Sequence, residues 1–128
     1  MPITRSTDIA LRVLITLSAA DQQLTVSKLA EKIGVPERYT GKMVQRLAGE
    51  GWLETSRGKG GGVRVSPTGR DVTPFDVIKV MGEGWPDIDC TKPWCPLLDI
   101  NCRLATMLAD AEAAFMGSMR SVTMAQLA

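Results

Sequence analysis

The segment Gly34-Val35-Pro36 constrains this chain more than any other. Ahead of it, Val26, Leu29, Ala30 and Ile33 recur at helical spacing behind Thr25, a residue type that caps helix starts. Gly34 suits the left-handed stop after such a helix, and Pro36 suits the first turn of the next one. From Pro36 to about Ala48, Met43, Val44 and Leu47 face inward, with Tyr39 one turn earlier. Glu37, Arg38, Gly41, Lys42, Gln45 and Arg46 face outward. Two short helices about so tight a turn make a helix-turn-helix, and the basic outer face of the second suits entry into a major groove. An ordinary helical hairpin with a solvated face is the competing reading.

The next stretch weighs against that alternative. Gly51–Thr55 and Val63–Val65 read as paired strands, joined by the glycine-rich segment from Ser56 to Gly62. From Thr55 to Arg70 the charged residues are Arg57, Lys59, Arg64 and Arg70, with no acid among them. A hairpin directly after a helix-turn-helix is a wing, here with glycines that let backbone approach phosphate and an Arg suited to a narrow minor groove. A nucleotide-binding phosphate loop is rejected, because Lys59 is followed by Gly60 rather than by Ser or Thr.

The remaining pattern is helical. Thr7–Ala20 carries a one-sided stripe, with Thr4 or Ser6 as N-cap. Thr73-Pro74 opens another helix that ends at Gly82 or Gly84, and an irregular stretch follows to about Asn101. From about Arg103 to Met119, Leu104, Leu108, Ala111, Phe115 and Met119 form one apolar stripe. The same helix of a second chain is the economical cover, against folding back on its own domain. The expected fold is mainly α with a small β-hairpin: a winged helix-turn-helix plus a long C-terminal dimerisation helix. Its parts are residues 1–82 (wing about 52–66), a cysteine loop at 83–102, and the dimerisation helix and tail at 103–128.

Charge is divided between the halves. Residues 1–70 hold 11 basic and 6 acidic side chains, and residues 71–128 hold 4 and 8. A basic front half implies a polyanionic partner. No uncharged run exceeds eight residues, so no membrane helix of ~20 residues is expected. Arg5, Asp8 and Arg12 interrupt any early signal-like pattern, and three Cys fit a reduced, cytoplasmic compartment better than a disulfide scaffold. With no His and no paired acid and base, an enzyme is not expected.

All three cysteines fall in one Pro-rich segment, Cys90-x4-Cys95-x6-Cys102. Structural zinc wants four ligands, usually with closer Cys pairs. A reversible disulfide is a second possibility. An iron–sulfur cluster is the third: it favours thiolates at wider spacing, and here its last iron needs an oxygen or exogenous ligand.

The combination resembles the cluster-binding winged-helix bacterial transcription regulators typified by IscR and NsrR. The matching pieces are Thr-Asp-Ile-Ala-Leu-Arg at 7–12, Pro36-x-x-Tyr39, Gly51-x-Leu53 and Arg57-Gly58-x-Gly60-Gly61-Gly62. Asp71-Val72-Thr73-x-x-Asp76-Val77-Ile78 and the three Cys before the last helix match too. The Cys spacing is less even than that of the family. The resemblance implies a homodimeric repressor on a pseudo-palindromic double-stranded DNA operator, with no membrane. It implies an iron–sulfur cluster, [4Fe–4S] in preference to [2Fe–2S], held by Cys90, Cys95 and Cys102 and by Asp8 of the other subunit. Asp8, in place of His, points to the nitric-oxide-sensing branch, and Arg12 is expected to contact the cluster or pair with Asp8. For DNA, Arg38, Thr40, Lys42 and Gln45 are the expected base readers. Arg57 and Lys59 are expected in the minor groove, and Thr25, Lys28 and Arg64 on phosphates. A cluster-free regulator answering to thiol oxidation or another metal is the alternative.

Overall fold

The computed structural model describes residues 3–82, 95 and 102–128. Helix α1 (Arg5–Ala19) starts at Thr4, whose hydroxyl accepts from the Thr7 amide. It buries Ile9, Ala10, Val13, Leu14 and Leu17, the stripe expected from their spacing, and these side chains form the centre of the core. Helix α2 (Val26–Ile33) is capped by Thr25 and stopped by Gly34, which takes a left-handed φ of 68°. Helix α3 (Glu37–Gly49) follows at once and packs Met43, Val44 and Leu47 against α1 and α2.

Strands β1 (Leu53–Ser56) and β2 (Gly62–Val65) form the antiparallel hairpin, with Leu53 opposite Val65 and Ser56 opposite Gly62. The first strand begins two residues later than expected, because Gly51 turns the chain at φ 78° and Trp52 is buried ahead of the ladder. Leu24, between α1 and α2, adds a one-residue bridge on the far edge of β2: its amide donates to the Val63 carbonyl at 2.9 Å and its carbonyl accepts from the Val63 amide at 2.7 Å.

Two short helices were not expected. Helix α4 (Pro67–Asp71) opens on Ser66, whose hydroxyl accepts from the Gly69 amide at 3.0 Å and donates to the Gly51 carbonyl at 2.6 Å. Gly69 has no room for a side chain, since a Cβ there would lie 2.1 Å from the Trp52 carbonyl oxygen. Helix α5 (Pro74–Met81) is the fourth helix of the sequence pattern, opened by a Thr73–Asp76 capping box and closed at Gly82.

Helix α6 (Arg103–Arg120) packs on α5, with the Arg120 guanidinium 3.8 Å from the Phe75 ring centroid, yet none of its residues is buried. Helix α7 (Met124–Leu127) then returns to the domain through a Thr123–Gln126 capping box, and the Met124 amide donates to the Val72 carbonyl. Met124 is 0% exposed and packs with the core of α1, so the terminal segment is part of the globular unit. Met124→Ala is therefore expected to lower stability by about 3 kcal/mol, through lost burial and a residual cavity. Urea unfolding checks this; a midpoint unchanged from wild type would contradict the packing.

Candidate nucleic-acid interface and metal centre

Helix α3 presents Glu37, Arg38, Tyr39, Lys42, Gln45 and Arg46 to solvent. Arg38, Lys42 and Gln45 share one face by their three- and four-residue spacing, opposite the buried arc of Met43, Val44 and Leu47. Among the described residues none of the three has a hydrogen-bond or ion-pair partner. Arg46 is engaged, donating to the Val80 carbonyl at 3.0 Å.

Two assignments on this helix need correction. Thr40, expected to read bases, is 0% exposed and donates toward the Val35 and Pro36 carbonyls at 3.4 and 3.2 Å. It stands one turn before Met43 and Val44, inside their buried arc, so its hydroxyl closes the turn instead of facing a groove. Tyr39, expected inward, is 50% exposed. It lies at the edge of the arc, where a phenol can keep its oxygen in water. It is the exposed aromatic on α3, which periodicity assigned to the core.

The wing carries Arg57 and Lys59 at its tip, both exposed and without partners among the described residues. Gly58 and Gly60 take φ of 90° and 82°, and the Gly61 amide donates to the Gly58 carbonyl at 2.9 Å, closing a tight turn around the two cations. Arg64 is different. Its Nε lies 2.7 Å from Glu54 across the hairpin, so its charge is partly answered within the wing. Thr25 uses its hydroxyl oxygen to cap α2, accepting from the Lys28 amide at 3.2 Å, while the Lys28 side chain is exposed.

The cysteine centre is described in part. Cys95 and Cys102 are free, half-buried thiols, and Cys90 lies outside the described residues. Cys102 occupies the N-cap of α6 without making a capping hydrogen bond, so its sulfur is not consumed in closing the helix. Two uncommitted thiols are soft donors of the kind that iron–sulfur and other thiophilic metals take, and to that extent the donor set fits. Among the described residues no three Cys, Asp or Glu gather at one metal-sized site. Asp8, in the first turn of α1, accepts from Arg12 Nε at 3.0 Å, and Arg12 Nη1 donates to the Ile33 carbonyl at 3.3 Å. The carboxylate is thus strung through one guanidinium to the end of α2, immediately before the turn into α3.

A family described as Rrf2, iron-dependent transcriptional regulator, matches residues 3–128. The chain belongs to the Rrf2 family. Members of this family are DNA-binding transcription regulators and not enzymes. The chain is similar to the HTH-type transcriptional repressor NsrR of Streptomyces coelicolor, 34% identical over 132 residues that cover 99% of this chain and 88% of that protein. It is also similar to the HTH-type transcriptional regulator NsrR of Bacillus subtilis, 28% identical over 99% of this chain and 90% of that one.

Solved Rrf2-like folds agree on the architecture. The IscR of T. potens matches with a TM-score of 0.75 at 18% identity, covering 99% of this chain and 85% of that chain. CymR, the global cysteine regulator of B. subtilis, matches at 0.76 and 21%, covering 99% and 95%. At these identities the likeness establishes the mainly helical winged fold with its two-stranded hairpin. Among the described residues no helix is long and apolar enough to cross a membrane.

Proposed function

We propose that this Rrf2 regulator is a homodimeric repressor of a pseudo-palindromic operator, whose affinity is set by an iron–sulfur cluster answering to nitric oxide or redox state. The observation that carries the DNA half of this reading is the set of unpaired cations on α3 and the wing: Arg38, Lys42, Arg57 and Lys59. Base contacts fall to Arg38, Lys42 and Gln45, with Tyr39 beside them. Arg57 and Lys59 enter the minor groove, and Thr25, Lys28 and the outer nitrogens of Arg64 lie on phosphates.

Dimerisation is supported by α6. Leu104 and Met107 are 54% and 59% exposed, and with Ala111 and Ala114 they repeat at spacings of three and four. This exposed stripe runs beside the half-buried one of Leu108, Phe115 and Met119. Its side chains shrink from Leu and Met at one end to Ala at the other. Antiparallel pairing about Ala109 sets Leu104 against Ala114 and Met107 against Ala111, bulky against small in each layer, whereas parallel pairing stacks bulk on bulk and leaves a void. A two-fold axis across α6 is thereby favoured, and two-fold symmetry is what a palindromic operator matches.

Cys90, Cys95 and Cys102, with the partner's Asp8 as oxygen ligand, would hold the cluster, [4Fe–4S] in preference to [2Fe–2S]. When bound, such a group supplies an iron open to attack by a small molecule. The chain's own residues supply the coupling. Any change in the engagement of Asp8 alters the pull on Arg12, and Arg12 holds the last carbonyl of α2. A displacement at the helix-turn-helix changes the separation of two reading helices across the dimer, which operator spacing does not tolerate.

Arg57→Ala tests the nucleic-acid reading. On a duplex selected by the wild-type protein from random-sequence DNA, binding is expected to weaken about tenfold, and the slope of log affinity against log salt to fall by about one unit. An unaltered affinity-versus-salt plot refutes the wing assignment.

A further inference from the structure

We infer that Gln23, in the connector between α1 and α2, is a positioning residue that holds the wing tip in the conformation that meets DNA; this rests on the reading of the wing above. The connector runs beside the hairpin because Leu24 pairs through its backbone with Val63. That pairing brings the Gln23 side chain over the wing loop, where its amide is used at both ends. Gln23 Oε1 accepts from the Ser56 hydroxyl at 3.1 Å, and Nε2 donates to the Gly60 carbonyl. Ser56 is the last residue of β1, and Gly60 lies on the return toward β2. The residues between these two anchors are Arg57, Gly58 and Lys59, the cationic tip itself.

The surrounding glycines make this clamp possible. A Cβ on Gly61 would lie 2.4 Å from the Ser56 carbonyl oxygen, and one on Gly62 would lie 2.7 Å from the Leu24 carbonyl oxygen. The loop and connector therefore approach as closely as backbone allows. The same glycines leave the free loop with many conformations to lose when it binds. A side chain that bonds both anchors before DNA arrives removes part of that loss, which is how preorganisation raises affinity without adding a contact to the ligand.

Gln23→Met keeps the length of the side chain and removes its donor and acceptor. Operator binding is expected to weaken about fivefold, the loss for two exposed hydrogen bonds that order a loop. The salt slope and melting temperature are expected to match wild type, because no phosphate-binding cation and no buried group has been removed. In the free variant, trypsin is expected to cut after Arg57 and Lys59 several times faster than in wild type, reporting local loosening of the tip. With Arg57→Ala already present, adding Gln23→Met is expected to cost less than twofold.

Each other outcome decides the matter. Unchanged binding and cleavage by Gln23→Met, while Arg57→Ala weakens binding, overturns the positioning role and leaves the wing assignment standing. A fully additive loss in the double variant, or a fall in salt slope with Gln23→Met alone, also overturns it, because Gln23 would then act on DNA directly. If Arg57→Ala has no effect, the wing reading itself fails. Should Gln23→Met lower the melting temperature, Gln23→Glu separates the two possibilities through local cleavage. It retains an acceptor for Ser56, loses the donor to Gly60, and is expected to loosen the tip; cleavage at the wild-type rate overturns the clamp.

Discussion

Leu104→Asp combined with Met107→Asp is expected to convert the protein to a folded monomer and to weaken operator binding at least a hundredfold. Both side chains are more than half exposed in the single protomer, so charging them leaves its core untouched. In the proposed dimer they face the partner's Ala111 and Ala114, where four carboxylates are taken from water into an apolar seam. Burying unpaired charge costs several kcal/mol, and about 1.4 kcal/mol is already tenfold in an equilibrium. A monomer then engages one half-site, losing the joint binding on which palindromic operators rely. Sedimentation at micromolar concentration, with circular dichroism, reads the first part, and gel shift reads the second. A variant that still sediments as a dimer overturns the α6 interface.

Cys102→Ser is expected to abolish iron retention in protein purified without oxygen, together with the visible absorbance of the wild type. The substitution is informative because of where Cys102 stands. Serine is a preferred N-cap, so at the start of α6 it preserves or improves helix capping, by about 1 kcal/mol at most. Loss of iron therefore cannot be assigned to loss of the helix, and an unchanged urea midpoint confirms this. A hydroxyl does not replace a thiolate toward a soft iron. Iron content and spectrum equal to wild type would remove Cys102 from the ligand set. A wild-type protein that carries no iron after iron-replete growth, and whose thiol count falls on mild oxidation, would favour the thiol-responsive alternative.

Much of the fold was legible because its signals are local. Thr25, Gly34 and Pro36 delimit α2 and α3 through capping and left-handed backbone, and Thr73 with Asp76 announces α5 in the same way. The signals for α4 and α7 were equally local: Ser66 before Pro67, and Thr123 three residues before Gln126. Both helices are a turn or so long, too short for apolar periodicity to draw attention to them.

The errors on α3 have another origin. Tyr39 stands at the edge of the buried arc and Thr40 within it, whereas the expectation had the polar one outside and the aromatic one inside. Position on the helix decided the reverse. Of the cysteine site, Cys95 and Cys102 are described as free thiols, and the Asp8–Arg12 pair follows from a four-residue helical spacing.

Order along the chain was enough to determine the helix-turn-helix, the basic wing, the clustering of the cysteines and the apolar character of the last helix, since each depends on residues a few positions apart. Three-dimensional packing alone decided that Met124 completes the core, that Arg12 reaches the carbonyl of Ile33, that Arg64 is answered by Glu54 while Arg57 is not, and that Gln23 spans the base of the wing tip. These contacts join segments with no shared local signal. Which polar group meets which depends on how helices and hairpin settle around the core, and that is a property of the folded whole.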